Sequence, residues 1–228
     1  MTRAAYDLHI HSCLSPCASD DMTPANIAAM SKLKGLDIIS LTDHNCGHNL
    51  EAMDHEAKQN GLIFVPGVEV TTREEVHVLV YFKSLSPAVT FAEKIYDSLP
   101  DIKNRPGIFG NQIIMSKYDR RSGTLEKLLL QASPYTIEQI SSMAKSSGGW
   151  AVPAHINRDS FSVISNLGFI PEGLFRFVEV KKDSPCPAIS PYYKVLYSSD
   201  AHQLGDISEP LNTLGGISSA EDFISLLV

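Results

Sequence analysis

The sequence predicts an α/β protein with a barrel-like layout and chemistry-bearing side chains at the C-terminal ends of its strands. Three observations carry this. Short apolar runs alternate with amphipathic stretches through the first 82 residues, giving strand, helix, strand, helix, strand at spacings that suit parallel strands joined by helical crossovers. Histidines and carboxylates fall at the ends of those runs, where α/β barrels carry their active groups. No glycine-rich phosphate loop supports the alternative, an open doubly wound sheet.

The first strand spans residues 5–10 and runs directly into His11. A loop over 12–22 follows. Thr23 then caps a helix with Pro24 at its first position, Ile27, Met30 and Leu33 along one side, and Gly35 at its stop. Leu36–Leu41 is a short strand that delivers Asp43 and His44, and Leu50–Gln59 is a second helix ending before Gly61. Leu62–Val70 forms the next strand, with Glu69 near its end. Glu75–Phe82 forms another, with His77, Leu79 and Tyr81 on one face.

Residues 84–149 are expected to be a mainly helical insertion or cap within a single domain of residues 1–228. Ser133-Pro134 opens a helix carrying Ile137, Ile140, Met143 and Ala144 on one side and ending at Gly148-Gly149. The stretch Pro100–Arg121, with Asn104, Arg105, Asn111, Gln112, Lys117, Arg120 and Arg121, is either a solvated connection or a lid over a substrate pocket. Trp150–Ala154 resumes the strand pattern and ends in His155. Asp159 is the expected cap of a helix over 160–167, closed by Gly168. Phe175–Val180, containing Glu179, and Lys194–Ser198, leading to Asp200 and His202, complete the strands. A C-terminal helix over Ala220–Leu227 is capped by Ser219.

The composition sets bounds. Hydrophobic content is 43% and charged content 20%, both ordinary for a globular protein. No apolar run approaches the roughly 20 residues that cross a bilayer, so no membrane partner is expected. Met1–Ala5 leaves no room for a signal peptide ahead of the first histidines, so a cytoplasmic address is expected. The formal net charge of −7 argues against broad binding to duplex nucleic acid or an anionic membrane, and no lysine-rich stripe tracks a duplex backbone. An anionic substrate is still compatible, because bound cations invert the local field. Cys13, Cys17, Cys46 and Cys186 have no zinc-ribbon spacing, so Cys13 and Cys17 are taken as loop thiols.

The histidines say more. Of eight, six sit in or just after an apolar run: His9, His11, His44, His77, His155 and His202. In Asp7-Leu8-His9-Ile10-His11 the polar residues are two apart, so a regular strand would turn a carboxylate and two imidazoles to one spot. That is the donor set of a divalent transition metal, Zn, Mn or Fe. Asp43 beside His44 and Asp200 beside His202 repeat the pairing.

With these strings in view, the chain resembles the PHP family, named for polymerase and histidinol phosphatase. Asp7-Leu8-His9-Ile10-His11-Ser12 is similar to its first motif and Leu41-Thr42-Asp43-His44-Asn45 to its second. Gly67-Val68-Glu69-Val70 with Glu75-Val76-His77-Val78-Leu79 is similar to the third, and Pro153-Ala154-His155 and Ser199-Asp200-Ala201-His202 to the last two. The resemblance implies a distorted seven-stranded (β/α)7 TIM-like barrel. It also implies two or three divalent metal ions and phosphoester hydrolysis by a metal-activated hydroxide. By position, His9, His11, Glu69 and Asp200 would hold one metal and His44 and His202 a second. His77 and His155 would hold a third, with Glu69 bridging. The loop after the first motif departs from the family's Ser-Asp-Gly string. It reads Ser19-Asp20-Asp21 here, and Asp20, after a serine, is the expected loop ligand with Asp21 the alternative.

Asp7 and Asp43 are expected to orient histidines from behind, Arg158 to grip a phosphate, and Glu179 to serve as an outer partner or an ordinary buried ion pair. The substrate expected is a small phosphate ester or nucleotide, or a short oligonucleotide end, with no duplex nucleic acid. Two rivals remain: a non-catalytic metal-binding regulatory module, and a hydrolase of an amide or lactone. The second is disfavoured because no lysine ends a convincing motif strand.

Overall fold

A computed structural model describes residues 3–182 and 184–227. In chain order its elements are β1 (Arg3–Ile10), α1 (Pro24–Leu33), β2 (Ile38–Leu41), α2 (Leu50–Gln59), β3 (Ile63–Thr71) and β4 (His77–Phe82). Then come α3 (Leu85–Ser98), the single turn α4 (Pro106–Phe109), β5 (Ile113–Met115), β6 (Arg121–Thr124), α5 (Ile137–Ser146) and β7 (Gly149–Pro153). Last are α6 (Val163–Leu167), β8 (Phe177–Glu179), β9 (Lys194–Leu196), β10 (Thr213–Gly215) and α7 (Ala220–Leu227). The segment 84–149 is thus helical at both ends, with a two-stranded hairpin, β5–β6, between.

Six strands form one curled sheet in the order β10-β1-β2-β3-β4-β7, and β8 pairs with β9 separately. The expected seven-stranded barrel gives way to this half-barrel. At the functional end the two sheets meet through isolated bonds, Ile156 N to Glu179 O at 2.9 Å and His11 N to Ala201 O at 2.9 Å. Among the described residues no continuous ladder joins them. The sheet is also not all parallel. β1, β2 and β3 are parallel, but β4 runs antiparallel to both β3 and β7. The cause is the length of the link: only residues 72–76 separate β3 from β4, far short of a helical crossover. His77 therefore lies at the start of β4, beside the end of β3, rather than at a strand's C-terminal end.

One face of the sheet packs Ile39, Leu41, Val68, Val70, Val78 and Val80 against helix residues such as Ile27, Met53, Phe91 and Ile140. The other packs Tyr6, Leu8, Val65, Leu79 and Tyr81 against Phe223, Ile224 and Leu227 of α7. The helices begin where small polar side chains meet free N–H groups. Thr23 accepts from Asn26 N at the start of α1, and Thr136 with Gln139 forms a capping box on α5, which begins at Ile137, three residues beyond the expected Pro134 start. Ser162, not Asp159, caps α6, which is correspondingly shorter than expected; Gly168 ends it in the left-handed region.

Candidate metal centre

The end of the sheet that carries the motifs gathers six histidines around one carboxylate. Glu69, fully buried, places Oε1 at 2.9 Å from His77 Nδ1 and 3.3 Å from both His9 Nε2 and His155 Nε2. Its Oε2 lies 3.0 Å from His44 Nδ1 and 3.3 Å from His11 Nε2. Asp200 Oδ1 completes the near side, 3.3 Å from both His9 Nε2 and His11 Nε2. The His202 ring stacks on His11 with centroids 4.3 Å apart. His9, His11 and Glu69 form one group of potential ligand atoms within 4.8 Å of one another; His11, His44 and His202 form a second, and His44, Glu69 and His77 a third.

Hydrogen bonds behind the rings fix their tautomers. His9 Nδ1 is 2.9 Å from Glu179 Oε2, so Nδ1 carries the proton and Nε2 presents a lone pair. Ser15 Oγ donates to Asp43 Oδ1 at 2.7 Å, so it must accept from His11 Nδ1 at 3.0 Å, and His11 Nε2 is also left as an acceptor. The Asp200 carbonyl takes the His202 Nδ1 proton at 2.8 Å. Two acceptor nitrogens, His9 Nε2 and His11 Nε2, then face each other at 3.2 Å with carboxylate oxygens on either side. Buried acceptors so arranged require a positive charge between them. His44 Nδ1 and Glu69 Oε2 are close but lie outside hydrogen-bond geometry, so both are orphaned. Imidazole and carboxylate donors left unpaired around a shared point fit divalent transition metals.

Without a cation, protons take that role. Burial alone would lower the His11 and His44 imidazoles, but Asp200 and Glu69 beside the first and Glu69 beside the second outweigh it, raising each to about 9. At His77 and His202 burial wins and both fall to about 4. Burial also opposes ionisation of Glu69, yet the surrounding histidines hold its carboxyl well below the usual range.

The backbone is bent to build this cluster. Asn45, His155, Phe161 and Asp200 all have positive φ, between 27° and 56°. Such conformations in non-glycine residues collect where structure serves a site.

Most sequence-predicted residues come together here: His9, His11, His44, Glu69, His77, His155, Asp200 and His202. Asp43 reaches His11 through Ser15. Arg158 lines the cleft and donates from Nη1 to Asp200 Oδ2 at 2.8 Å. Glu179 orients His9 and also accepts from His155 N at 2.9 Å. Two expectations differ. Asp7 does not converge with His9 and His11; the β1–β2 register shifts between Asp7 and Ile10, and Asp7 instead accepts from Ser199 Oγ at 2.6 Å and Ser208 N at 2.8 Å. It holds the Asp200 segment against β1 rather than a histidine ring. Asp20 is exposed and accepts from Asn111 at 2.8 Å, away from the cluster. Cys17, from the same loop, lines the cleft.

The cleft has a volume of about 440 Å³ and is lined also by Phe161, Lys181 and Asp206. Phe161 stacks on His77 at 4.8 Å. Sequence reading took Cys17 for a loop thiol and passed over Phe161 and Lys181. Only Lys181 had a usable signal, standing two residues past Glu179 at a strand end.

No protein-family model matches the chain. An uncharacterized protein of Methanocaldococcus jannaschii is 36% identical over 107 residues, which are 46% of this chain and 13% of that one. Among solved structures, the lesion-specific Endonuclease Q of Pyrococcus furiosus superposes with a TM-score of 0.68 at 22% identity, covering 99% of this chain and 56% of the endonuclease. A complex of Endonuclease Q with a 27-mer duplex, an abasic lesion at its active site, superposes with a TM-score of 0.59 at 22% identity over 89% of this chain and 50% of that one. A Bifidobacterium adolescentis protein assigned as a metal-dependent phosphoesterase gives 0.58 at 17% identity, over 97% and 94%. This chain thus spans about half the length of Endonuclease Q and a smaller share of the archaeal relative. The shared fold overturns one expectation: net charge does not exclude duplex nucleic acid, since Endonuclease Q engages a duplex on this architecture. Among the described residues no helix is long and apolar enough to cross a membrane. The likeness is one of fold: the same architecture carries Endonuclease Q and a protein assigned as a metal-dependent phosphoesterase.

Proposed function

We propose that this chain is a metal-dependent hydrolase of phosphoric esters, working on a small phosphate ester or a nucleotide unit. The observation that carries the reading is the convergence of five imidazole nitrogens on the two oxygens of buried Glu69, with the tautomers of His9 and His11 set from behind. His9, His11, Glu69 and Asp200 would hold one divalent cation. His44 and His202, with Cys17, would hold a second, and His77 and His155, sharing Glu69, a third. Such cations supply Lewis-acid charge for in-line displacement at phosphorus.

The chain's own groups do the rest. Glu179 and the Asp43–Ser15 pair keep the Nε2 lone pairs of His9 and His11 turned inward. Arg158 uses one N–H on Asp200, leaving its other donors for non-bridging phosphate oxygens at the cleft wall. Lys181 adds a second cationic side chain to that wall. A cleft of about 440 Å³ is in the size range of small-ligand sites. No nucleophilic side chain is needed: burial and the nearby Asp43 push the Cys13 thiol up to about 12, and it stays protonated.

The test is the double variant His9→Ala, His11→Ala assayed with aryl phosphates, nucleotides, and single- and double-stranded oligonucleotides. The expected result is loss of hydrolysis in a folded protein. Full activity in that variant would refute the reading, and metal binding by wild type without turnover of any ester would point to a regulatory module instead.

A further inference from the structure

A second group of cationic side chains lies outside the metal cleft. Between residues 101 and 127 there are six lysines and arginines against three acids, in a chain with 19 basic and 26 acidic residues. Lys127 is used internally, donating to Tyr96 O and Leu99 O, and Lys103 pairs with Glu126 at 3.6 Å. The described lysines and arginines paired with a carboxylate are Lys34, Lys58, Lys83, Lys103 and Arg158. Lys117, Arg120 and Arg121 are not among them. All three are exposed on the β5–β6 hairpin, at and beside a turn closed by Ser116 N to Arg120 O at 2.8 Å, with Asp119 the one acid at its tip. Tyr118 is 69% exposed there, with Lys117 Nζ 5.3 Å from its ring centroid.

The hairpin contributes little to the core through β6, whose residues are exposed or half-buried. It is nevertheless held firmly. Buried Asn49 donates to Ile113 O at 3.1 Å and accepts from Met115 N at 2.8 Å. Buried Gln112 bonds Leu125 O, Lys127 O and Leu129 N. Asn49 also donates to Ser12 Oγ, which donates to Asp43, the carboxylate behind His11. Gly110 fits flat against Pro16, next to Cys17 at the cleft: a Cβ there would lie 1.9 Å from Pro16 O. A second cavity, of about 320 Å³, opens between Lys103, Asn104, Asn111, Arg121 and Thr124. An anchored, unpaired cationic hairpin with an exposed aromatic tip is thus fixed relative to the ester-hydrolysing cluster.

We propose that this hairpin is a rest for a nucleic-acid strand, which makes the substrate a polynucleotide whose reacting phosphate enters the metal cleft while neighbouring phosphates lie along Lys117, Arg120 and Arg121. The cations track the backbone and Tyr118 offers a face for base stacking. A polynucleotide supplies both repeating phosphates and planar groups, whereas an acidic protein supplies only charge. The proposal rests on the phosphoesterase reading for its chemistry, but binding to the hairpin is separable from hydrolysis.

The experiment measures binding of a fluorescein-labelled single-stranded oligonucleotide across a salt series, with and without chelator. It compares wild type, the triple variant Lys117→Ala, Arg120→Ala, Arg121→Ala, and Tyr118→Ala. Polyglutamate serves as the competing anion, and 4-nitrophenyl phosphate hydrolysis is followed in parallel. The salt slope is expected to fall by about 2 in the triple variant. Tyr118→Ala is expected to weaken binding by about fivefold or more. Aryl phosphate turnover is expected to be unchanged in both variants. Unchanged slopes, no oligonucleotide binding by wild type, or equal binding of polyglutamate would overturn the proposal. Oligonucleotide binding without any hydrolysis would leave the hairpin's role standing and sink the phosphoesterase reading instead; hydrolysis without strand binding would do the reverse.

Discussion

Glu179 is the residue on which the orientation of His9 depends, through the 2.9 Å contact to Nδ1. Changing it to glutamine, whose amide can turn a donor toward that nitrogen, is expected to weaken metal binding about 10- to 100-fold with the fold retained. Titration of the chelated protein with Zn²⁺ or Mn²⁺, followed by circular dichroism, checks both parts. Cys17 makes a sharper spectroscopic case. Cobalt-loaded wild type should show a thiolate charge-transfer band that Cys17→Ala lacks; the same band in both proteins would remove Cys17 from the ligand set. The six histidines, Glu69 and Asp200 were legible because polar residues at the ends of apolar runs have no bland explanation in that number. Asp20 was expected at the cleft and Cys17 was not, because both sit in a loop without periodicity, where sequence gives no orientation. Asp7 was misdirected by a strand irregularity that alternation cannot foresee.

At the scale of elements, the site depends on how loops are held to strands. Gly110, with φ of 97° and the Pro16 carbonyl against its α-carbon, is expected to tolerate no side chain. Gly110→Ala should cost about 1–3 kcal/mol and loosen the loop that carries Cys17, seen as a lower denaturation midpoint together with weaker metal binding. Thr136→Ala, which removes the α5 capping box far from the cluster, should cost about 1 kcal/mol and leave metal binding unchanged. Helices α1, α2 and α7 were readable from the sequence with near-final bounds: a threonine cap and a proline open α1, and apolar residues at helical spacing mark α2 and α7. The β3–β4 hairpin was not. Two apolar runs five residues apart look alike whether parallel or antiparallel until the length of the link is weighed. The β5–β6 hairpin was hidden for another reason: its strands are three and four residues long, and most of β6 faces solvent.

For the whole molecule, protonation and metal binding are linked. His11 and His44 sit at about 9 in the metal-free protein, above the ordinary 6.5. A raised histidine contributes stability that is complete below pH 6.5 and lost as pH climbs through its folded value. The chelated protein should therefore lose thermal stability between pH 6.5 and 9. Divalent metal, which replaces those protons, should raise Tm more at the alkaline end than at pH 6.5. A chelated protein whose Tm is flat across that window would show that the clustered charges are not coupled to folding. The seven-stranded closure expected of the barrel also belongs to this scale. It was replaced by a half-barrel because β8 and β9 reach the main sheet through isolated bonds at the functional end, a feature no local pattern encodes.

The most direct measurement is reconstitution: the chelated protein is titrated with Mn²⁺ or Zn²⁺ while hydrolysis of an aryl phosphate and bound metal are followed together. Activity rising with occupancy and levelling at two or three ions per chain is the predicted result. Full occupancy with no hydrolysis of any ester, or activity that survives removal of all metal, would contradict a multinuclear phosphoesterase.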